Sequence, residues 1–276
     1  MARSFGFPSR AGRAHRSSDK RFGRPRLPAA RAHASCRHRR IAAAAPALLA
    51  ALLAPDVAPA AVERHTGTFN GIEISYRVLL PDDFDPAREY PVVLHFAGGP
   101  QTWDIVERST DADWRAHVET RGLIVVSPAA PRAGLYFEGG DRIFPAFLDH
   151  VLSAYPAAGG KLHVAGHSNG GLSAFHVAAR HPEYFVSVTG YPGLLRRLDD
   201  RGVEALSSLC LYMHVGSRDT SWRSAMEQQF ETLAERGLDI EYVVEPDQAH
   251  RLDTTRDELA LRLYRELEDA RAGCGE

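Results

Sequence analysis

The sequence predicts an α/β fold: one domain over residues 62–276, built on a mostly parallel eight-stranded sheet with helices on both faces. Three observations point there. From Thr66 onward, short apolar runs alternate with amphipathic segments, the order expected when strands are linked by helices that cover them. Most of those runs are continuously apolar, as in strands buried on both faces. The exception is the start, where Thr66 to Phe69 and Ile72 to Leu80 flank Asn70-Gly71 and read as an antiparallel hairpin closed by a tight turn.

The elements follow in order. After the hairpin, the expected strands are Pro91 to Phe96, Leu123 to Ser127, Lys161 to Ala165, Phe185 to Thr189, Leu209 to Val215 and Ile240 to Val244. Expected helices are Asp113 to Thr120, Arg142 to Ala154, Gly170 to Arg180, Ser221 to Arg236 and Thr255 to Ala272, several of them ending at Gly or before Pro. No internal repeat or low-complexity linker interrupts the series, and no long lid insertion follows Gly170.

The composition is that of an ordinary globular domain with an appendage: 276 residues, 44% hydrophobic and 25% charged. The formal net charge of -2 hides an asymmetry, because residues 1–61 hold 12 Lys and Arg against Asp19 and Asp56, which leaves 21 basic and 33 acidic residues beyond. That excess of acid disfavours nucleic acid and polybasic membrane docking as partners. Residues 1–61 read as a targeting segment. Arg37, His38, Arg39 and Arg40 precede the apolar run Ile41 to Ala54, and Ala58, Pro59, Ala60 and Ala61 supply small residues for cleavage near Ala60 or Ala61. The run is too short for a confident membrane span, which needs roughly 20 apolar residues, so no stable anchor is expected after cleavage. Export to the periplasm or medium is the favoured reading. The long Arg-rich stretch before the run instead suits an early start codon or an organellar transit peptide. Of the three cysteines, Cys36 would leave with the segment, and Cys210 and Cys274 could pair in an oxidising compartment. The adopted expectation is a buried free thiol at Cys210.

Chemistry enters at Gly166-His-Ser-Asn-Gly170, a G-x-S-x-G placed between an apolar strand and a helix. On such a strand-to-helix turn the serine is held in a strained conformation with its hydroxyl exposed. Residues two before and two after it must be small for the backbones to fit. Ser168 is therefore the candidate nucleophile, and the positive end of the following helix favours the charge that develops on attack. In this arrangement an acid and then a histidine follow the serine in the chain. Among His176, His181, His214 and His250, only His250 falls in a loop after the last strand, where a general base belongs; the others fall in or at the end of a helix, or within a strand. Asp219, just past the strand ending at Val215, is the candidate acid. Asp199, Asp200 and Glu204 lie in a polar stretch and Glu227, Glu231 and Glu235 on a helix, while Glu245 and Asp247 stand too close to His250 in the chain. An oxyanion would be held by the backbone N–H of Asn169 and by Ala97 or Gly98 in the loop before Pro100, with Ala97 preferred. Trp103, Tyr136, Phe137 and Trp222 fall in or near loops at the expected site end, where they could line a pocket or pack its rim.

Together, Leu94-His95 before a Gly-rich loop, Gly166-His-Ser-Asn-Gly170, Gly216-x-x-Asp219 and the loop His250 resemble the α/β-hydrolase superfamily over essentially all of residues 62–276. Tyr76-Arg-Val-Leu-Leu-Pro, followed by Tyr90-Pro-Val-Val-Leu-His95, is similar to exported esterases of the polyhydroxybutyrate depolymerase and feruloyl esterase-like group. Two positions depart from that group's habit, Phe96 after the strand His and Ala249 before the loop His, and both bear on the acyl pocket. The resemblance implies a serine esterase acting on a small-molecule or polymeric ester through an acyl-enzyme, with no metal and no organic cofactor. A peptidase or acyltransferase with the same three residues is the alternative, and a non-catalytic binding protein the remote one.

Overall fold

The computed structural model describes residues 61–132, 134–252 and 258–273. The expected targeting segment, residues 1–61, lies outside them except for Ala61, which begins the first strand. The sheet has eight strands in the order β1-β2-β4-β3-β5-β6-β7-β8. These are β1 Ala61–Phe69, β2 Ile72–Leu80, β3 Val92–Phe96, β4 Ile124–Pro128, β5 Leu162–Gly166, β6 Phe185–Gly190, β7 Cys210–Gly216 and β8 Ile240–Glu245. β1 pairs antiparallel with β2, and β2 with β4; the remaining pairs are parallel. The Asn70-Gly71 turn has positive φ at both residues, 50° and 77°, as a tight hairpin turn requires. β1 starts five residues earlier than Thr66, because its Glu63, Arg64 and His65 belong to a half-exposed edge strand and carry no apolar run to read.

Among the described residues seven α-helices accompany the strands, the last of them following β8: α1 Trp103–Asp113, α2 Arg115–Arg121, α3 Ala146–Ala154, α4 Asn169–Arg180, α5 Asp200–Leu206, α6 Thr220–Glu235 and α7 Glu258–Ala272. Each apolar strand feeds both faces. Val92, Leu94 and Phe96 point to a core shared with α3, α4 and α6. Val93 points the other way, to Trp114 between α1 and α2, Val118 of α2, and Leu263 and Leu267 of α7. Among the described residues no helix is long and apolar enough to cross a membrane.

Three helical expectations need correction. The helix expected from Asp113 is α2, and α1 precedes it without having been read, the two meeting at Trp114, whose φ of -126° breaks the spiral. The helix expected from Arg142 is divided: a short 3-10 turn, Gly140–Ile143, ends at an extended Phe144, and α3 begins after Pro145. Proline disfavours helical geometry in the residue before it. Asp199, placed in a polar stretch, caps α5 by accepting the Gly202 N–H at 2.8 Å. Cys210 is also corrected: it is disulfide-bonded rather than a free thiol. Cys274 lies outside the described residues.

A buried ionic cluster ties the end of the sheet to α7. His214 Nδ1 meets Glu245 Oε1 at 3.2 Å, its Nε2 meets Glu266 Oε1 at 2.5 Å, and Arg262 Nη1 donates to Glu245 Oε1 at 2.9 Å. His214 and both carboxylates are almost wholly buried. Burial opposes charging of the imidazole, but Glu266 and Glu245 outweigh it and raise its pKa to about 9. Since the folded value lies above the unfolded one of about 6.5, this stabilisation is complete below that value and fades as pH rises through about 9. His214→Gln, which removes the positive charge shared by Glu245 and Glu266 and leaves Glu266 without its cation, is expected to lose about 3 kcal/mol near pH 7. Denaturant melts from pH 7 to 10 should show the gap between wild type and variant closing at the alkaline end; a constant gap would contradict the charged imidazole.

Candidate active site

The site forms where β5 turns into α4. Ser168 has φ 58° and ψ -118°, a conformation that costs a non-glycine residue roughly 1–3 kcal/mol. The surroundings hold it there. Its N–H donates to the Pro192 carbonyl at 2.8 Å, and the N–H of Gly170 donates to the His167 carbonyl at 2.7 Å. The two flanking glycines answer to crowding: a Cβ at Gly166 would lie 2.2 Å from the Gly170 oxygen, and one at Gly170 would lie 1.9 Å from the Phe96 oxygen. The turn thus closes only with no side chain at either position.

Asp219 and His250 come from the loops after β7 and β8, and these loops are zipped together. Ser217 N–H donates to the Glu245 carbonyl at 2.9 Å, Arg218 N–H to the Gln248 carbonyl at 2.9 Å, and Asp247 N–H to Ser217 Oγ at 2.9 Å. Gly216 packs so closely under this loop that a Cβ would lie 2.3 Å from the Ala249 oxygen. As a result, His250 Nδ1 sits 2.6 Å from Asp219 Oδ2, and His250 Nε2 sits 2.8 Å from Ser168 Oγ. A carboxylate only accepts, so Nδ1 carries the proton toward Asp219 and Nε2 is left to accept from the Ser168 hydroxyl. Asp219 precedes α6 but its side chain makes no capping bond there; it is turned to the histidine. The carboxylate is largely buried, at 12% side-chain exposure, whereas His250 is open at 43%.

The structure brings Ser168, His250 and Asp219 together and sends the competitors elsewhere. His176 binds Asp141 at 3.1 Å, His214 and Glu245 belong to the buried cluster, and Asp247 turns back on Ser217 through its backbone. Asn169 is the first residue of α4, where backbone N–H groups lack an intrahelical acceptor, and its side-chain Nδ2 donates to the Gly99 carbonyl at 2.9 Å. Ala97 is buried at the start of the same loop. Of the four aromatics, Trp222 lies with its ring centroid 5.6 Å from that of His250. Tyr136 is buried, donating to the Ala129 carbonyl at 2.7 Å, while Trp103 stacks under Arg64 and Phe137 under Arg196.

Sequence reasoning missed His167. Its Nε2–H donates to the carbonyl of His250 at 3.1 Å, and burial lowers its pKa to about 4, so it is neutral at ordinary pH. The ring supports the His250 backbone from below, and it fits only because residue 98 is glycine: a Cβ there would lie 2.5 Å from Nδ1. Nothing in the sequence marks this, since the position between Gly166 and Ser168 carries no stated side-chain requirement. A cavity of about 230 Å3 opens beside the ring, between Gly98, Gly99, Ile105, Tyr191 and Arg251. Gly170→Ala is expected to cost about 3 kcal/mol or more, because the added methyl collides with backbone that cannot rotate away. A melting curve superimposable on wild type would contradict the crowding.

No family model matches the chain. A stretch of 145 residues, 48% of the chain, is 26% identical to dipeptidyl-peptidase 5 of Porphyromonas gingivalis, and it spans only 21% of that relative's length. Among solved structures, a feruloyl esterase module from Clostridium thermocellum complexed with sinapinate superposes with a TM-score of 0.59 at 17% identity, over 79% of this chain and 90% of that one. The fluorophosphonate-binding serine hydrolase F of Staphylococcus aureus gives 0.57 at 14% identity, over 76% and 99%. Dipeptidyl peptidase 4 of Porphyromonas gingivalis gives 0.60 at 18%, over 77% of this chain but 36% of that one. With its strand order and the strained serine turn between β5 and α4, the chain has the α/β-hydrolase fold.

Proposed function

We propose that the chain is a serine hydrolase of carboxylic esters, with Ser168 as nucleophile, His250 as general base and Asp219 as the acid that orients the imidazole. One observation carries the reading: the unbroken line Ser168 Oγ to His250 to Asp219, at 2.8 and 2.6 Å, mounted on a strained turn at a helix N-terminus. In the first step His250 Nε2 takes the hydroxyl proton as Ser168 Oγ attacks the ester carbonyl. The proton then passes to the leaving alcohol, and the acyl group stays on Ser168. Water, deprotonated by the same imidazole, releases the acid. The backbone N–H groups of Asn169 and Ala97 are assigned to the oxyanion, each worth a few kcal/mol in the transition state. These steps need no metal or organic cofactor.

Short or soluble esters are favoured by the lack of a long insertion in the sequence after Gly170. Export is supported by the basic, apolar and small-residue series of residues 37–61, and by the disulfide at Cys210, which persists in oxidising compartments. A second reading, a peptidase using the same three residues, is favoured by the stretch shared with dipeptidyl-peptidase 5.

Treatment with a fluorophosphonate should add one adduct to the intact mass of the wild type and none to Ser168→Ala, which should also fall below about one per cent of wild-type turnover. A panel of p-nitrophenyl esters beside dipeptidyl p-nitroanilides decides between the readings; faster cleavage of the anilides would replace esterase by peptidase. Asp219→Asn should keep the fold and lose turnover by up to about ten-thousandfold, since an amide stabilises the wrong tautomer and cannot balance the imidazolium. Near-normal turnover in that variant would remove Asp219 from the assignment.

A further inference from the structure

On the outer face of α4, away from Ser168, lies a second cleft of about 580 Å3. Its walls are the end of α4, the segment joining β6 to α5, the first turn of α5, and Phe137 from the loop after β4. Four arginines, Arg180, Arg196, Arg197 and Arg201, line it against a single carboxylate, Asp199. That carboxylate is already engaged as the cap of α5. Arg180 reaches Asp141 at 3.1 Å and Arg196 reaches Glu138 at 3.4 Å, which leaves most of the five N–H donors of each guanidinium uncommitted to these partners. Among the described residues, no ion pair includes Arg197 or Arg201.

This gathering runs against the charge of the molecule, which beyond residue 61 carries 33 acidic and 21 basic residues. Like charges so grouped repel one another, and an anion placed between them turns repulsion into attraction. Planar guanidinium forks match carboxylate and phosphate oxygens in pairs. The Arg196 fork is held over the Phe137 ring, 4.8 Å from its centroid, and Leu195 adds an apolar wall. The cleft is not part of the ester site: Ser168 and Arg180 stand at opposite ends of the 12-residue α4, roughly 18 Å apart.

We propose that this cleft binds a small multivalent anion, a compact carboxylate or phosphate compound carrying two or more negative charges. Its size is within the range of small-molecule sites, and arginines on several walls favour more than one negative charge. The proposal stands on the cleft itself, whatever Ser168 does. Citrate and inorganic phosphate, titrated calorimetrically into the full chain at constant ionic strength, are the probes. The wild type should bind at least one of them saturably at one site. Arg197→Glu combined with Arg201→Glu should weaken that binding by at least about tenfold while leaving p-nitrophenyl acetate turnover unchanged. Tighter binding of citrate would identify a carboxylate ligand, and tighter binding of phosphate a phosphorylated one. If the charge-reversed chain does not fold, Arg197→Gln with Arg201→Gln takes its place under the same criterion. No saturable binding of either probe to the wild type, or equal affinity in a folded variant, overturns the proposal.

Discussion

Where β5 ends, three backbones meet at distances that no side chain tolerates. The Gly170 Cα faces the Phe96 carbonyl, Gly166 faces Gly170, and a Cβ at Gly171 would lie 2.2 Å from the Pro192 oxygen. This contact fixes the rest of the site. It presses the start of α4 onto the loop after β3, where the Asn169 side chain donates to the Gly99 carbonyl. It also forces Ser168 out of ordinary backbone geometry, with its hydroxyl 2.8 Å from His250 Nε2. The turn is affordable because β5 is central, with all five of its residues buried and four of them paired on both sides. A strained residue persists only where its surroundings over-determine it.

The partner side chains are fixed by a different device. Asp219 and His250 sit on loops, which on their own would wander, yet backbone bonds join the two loops and the buried His214 cluster anchors β7 and β8 where those loops begin. Glu245 takes part in both: its side chain belongs to the cluster and its carbonyl accepts from Ser217. His167 adds a third support by holding the His250 carbonyl. Rigid placement of this kind is what allows an imidazole to stay within hydrogen-bond reach of two groups at once.

Much of this was legible in the residues. Continuous apolar runs located the strands because a doubly covered sheet leaves them no polar face, and chain order together with loop position singled out His250 and Asp219. The losses have physical reasons. α1 and α5 lack a long apolar stripe, and α3 starts late because Pro145 sets its boundary. His214 looked like a packing residue inside a strand, since its charge depends on Glu245 and Glu266, which lie 31 and 52 residues away. His167 was invisible for the same cause: its role comes from a carbonyl 83 residues on. Composition suggested a free thiol at Cys210, and only the fold could correct it.

The closeness of Trp222 to His250, 5.6 Å between ring centroids, has an optical meaning. An excited indole passes an electron to a nearby imidazolium far more readily than to a neutral imidazole. The emission of this half-buried tryptophan is therefore sensitive to the proton on His250, and it changes again when a group enters the space between the rings. Of the other two tryptophans, Trp103 lies beneath Arg64, while Trp114 in the core has histidine neighbours of its own, with the His95 and His117 centroids at 5.8 and 6.4 Å. Trp222 is thus the tryptophan whose emission answers to the space beside His250.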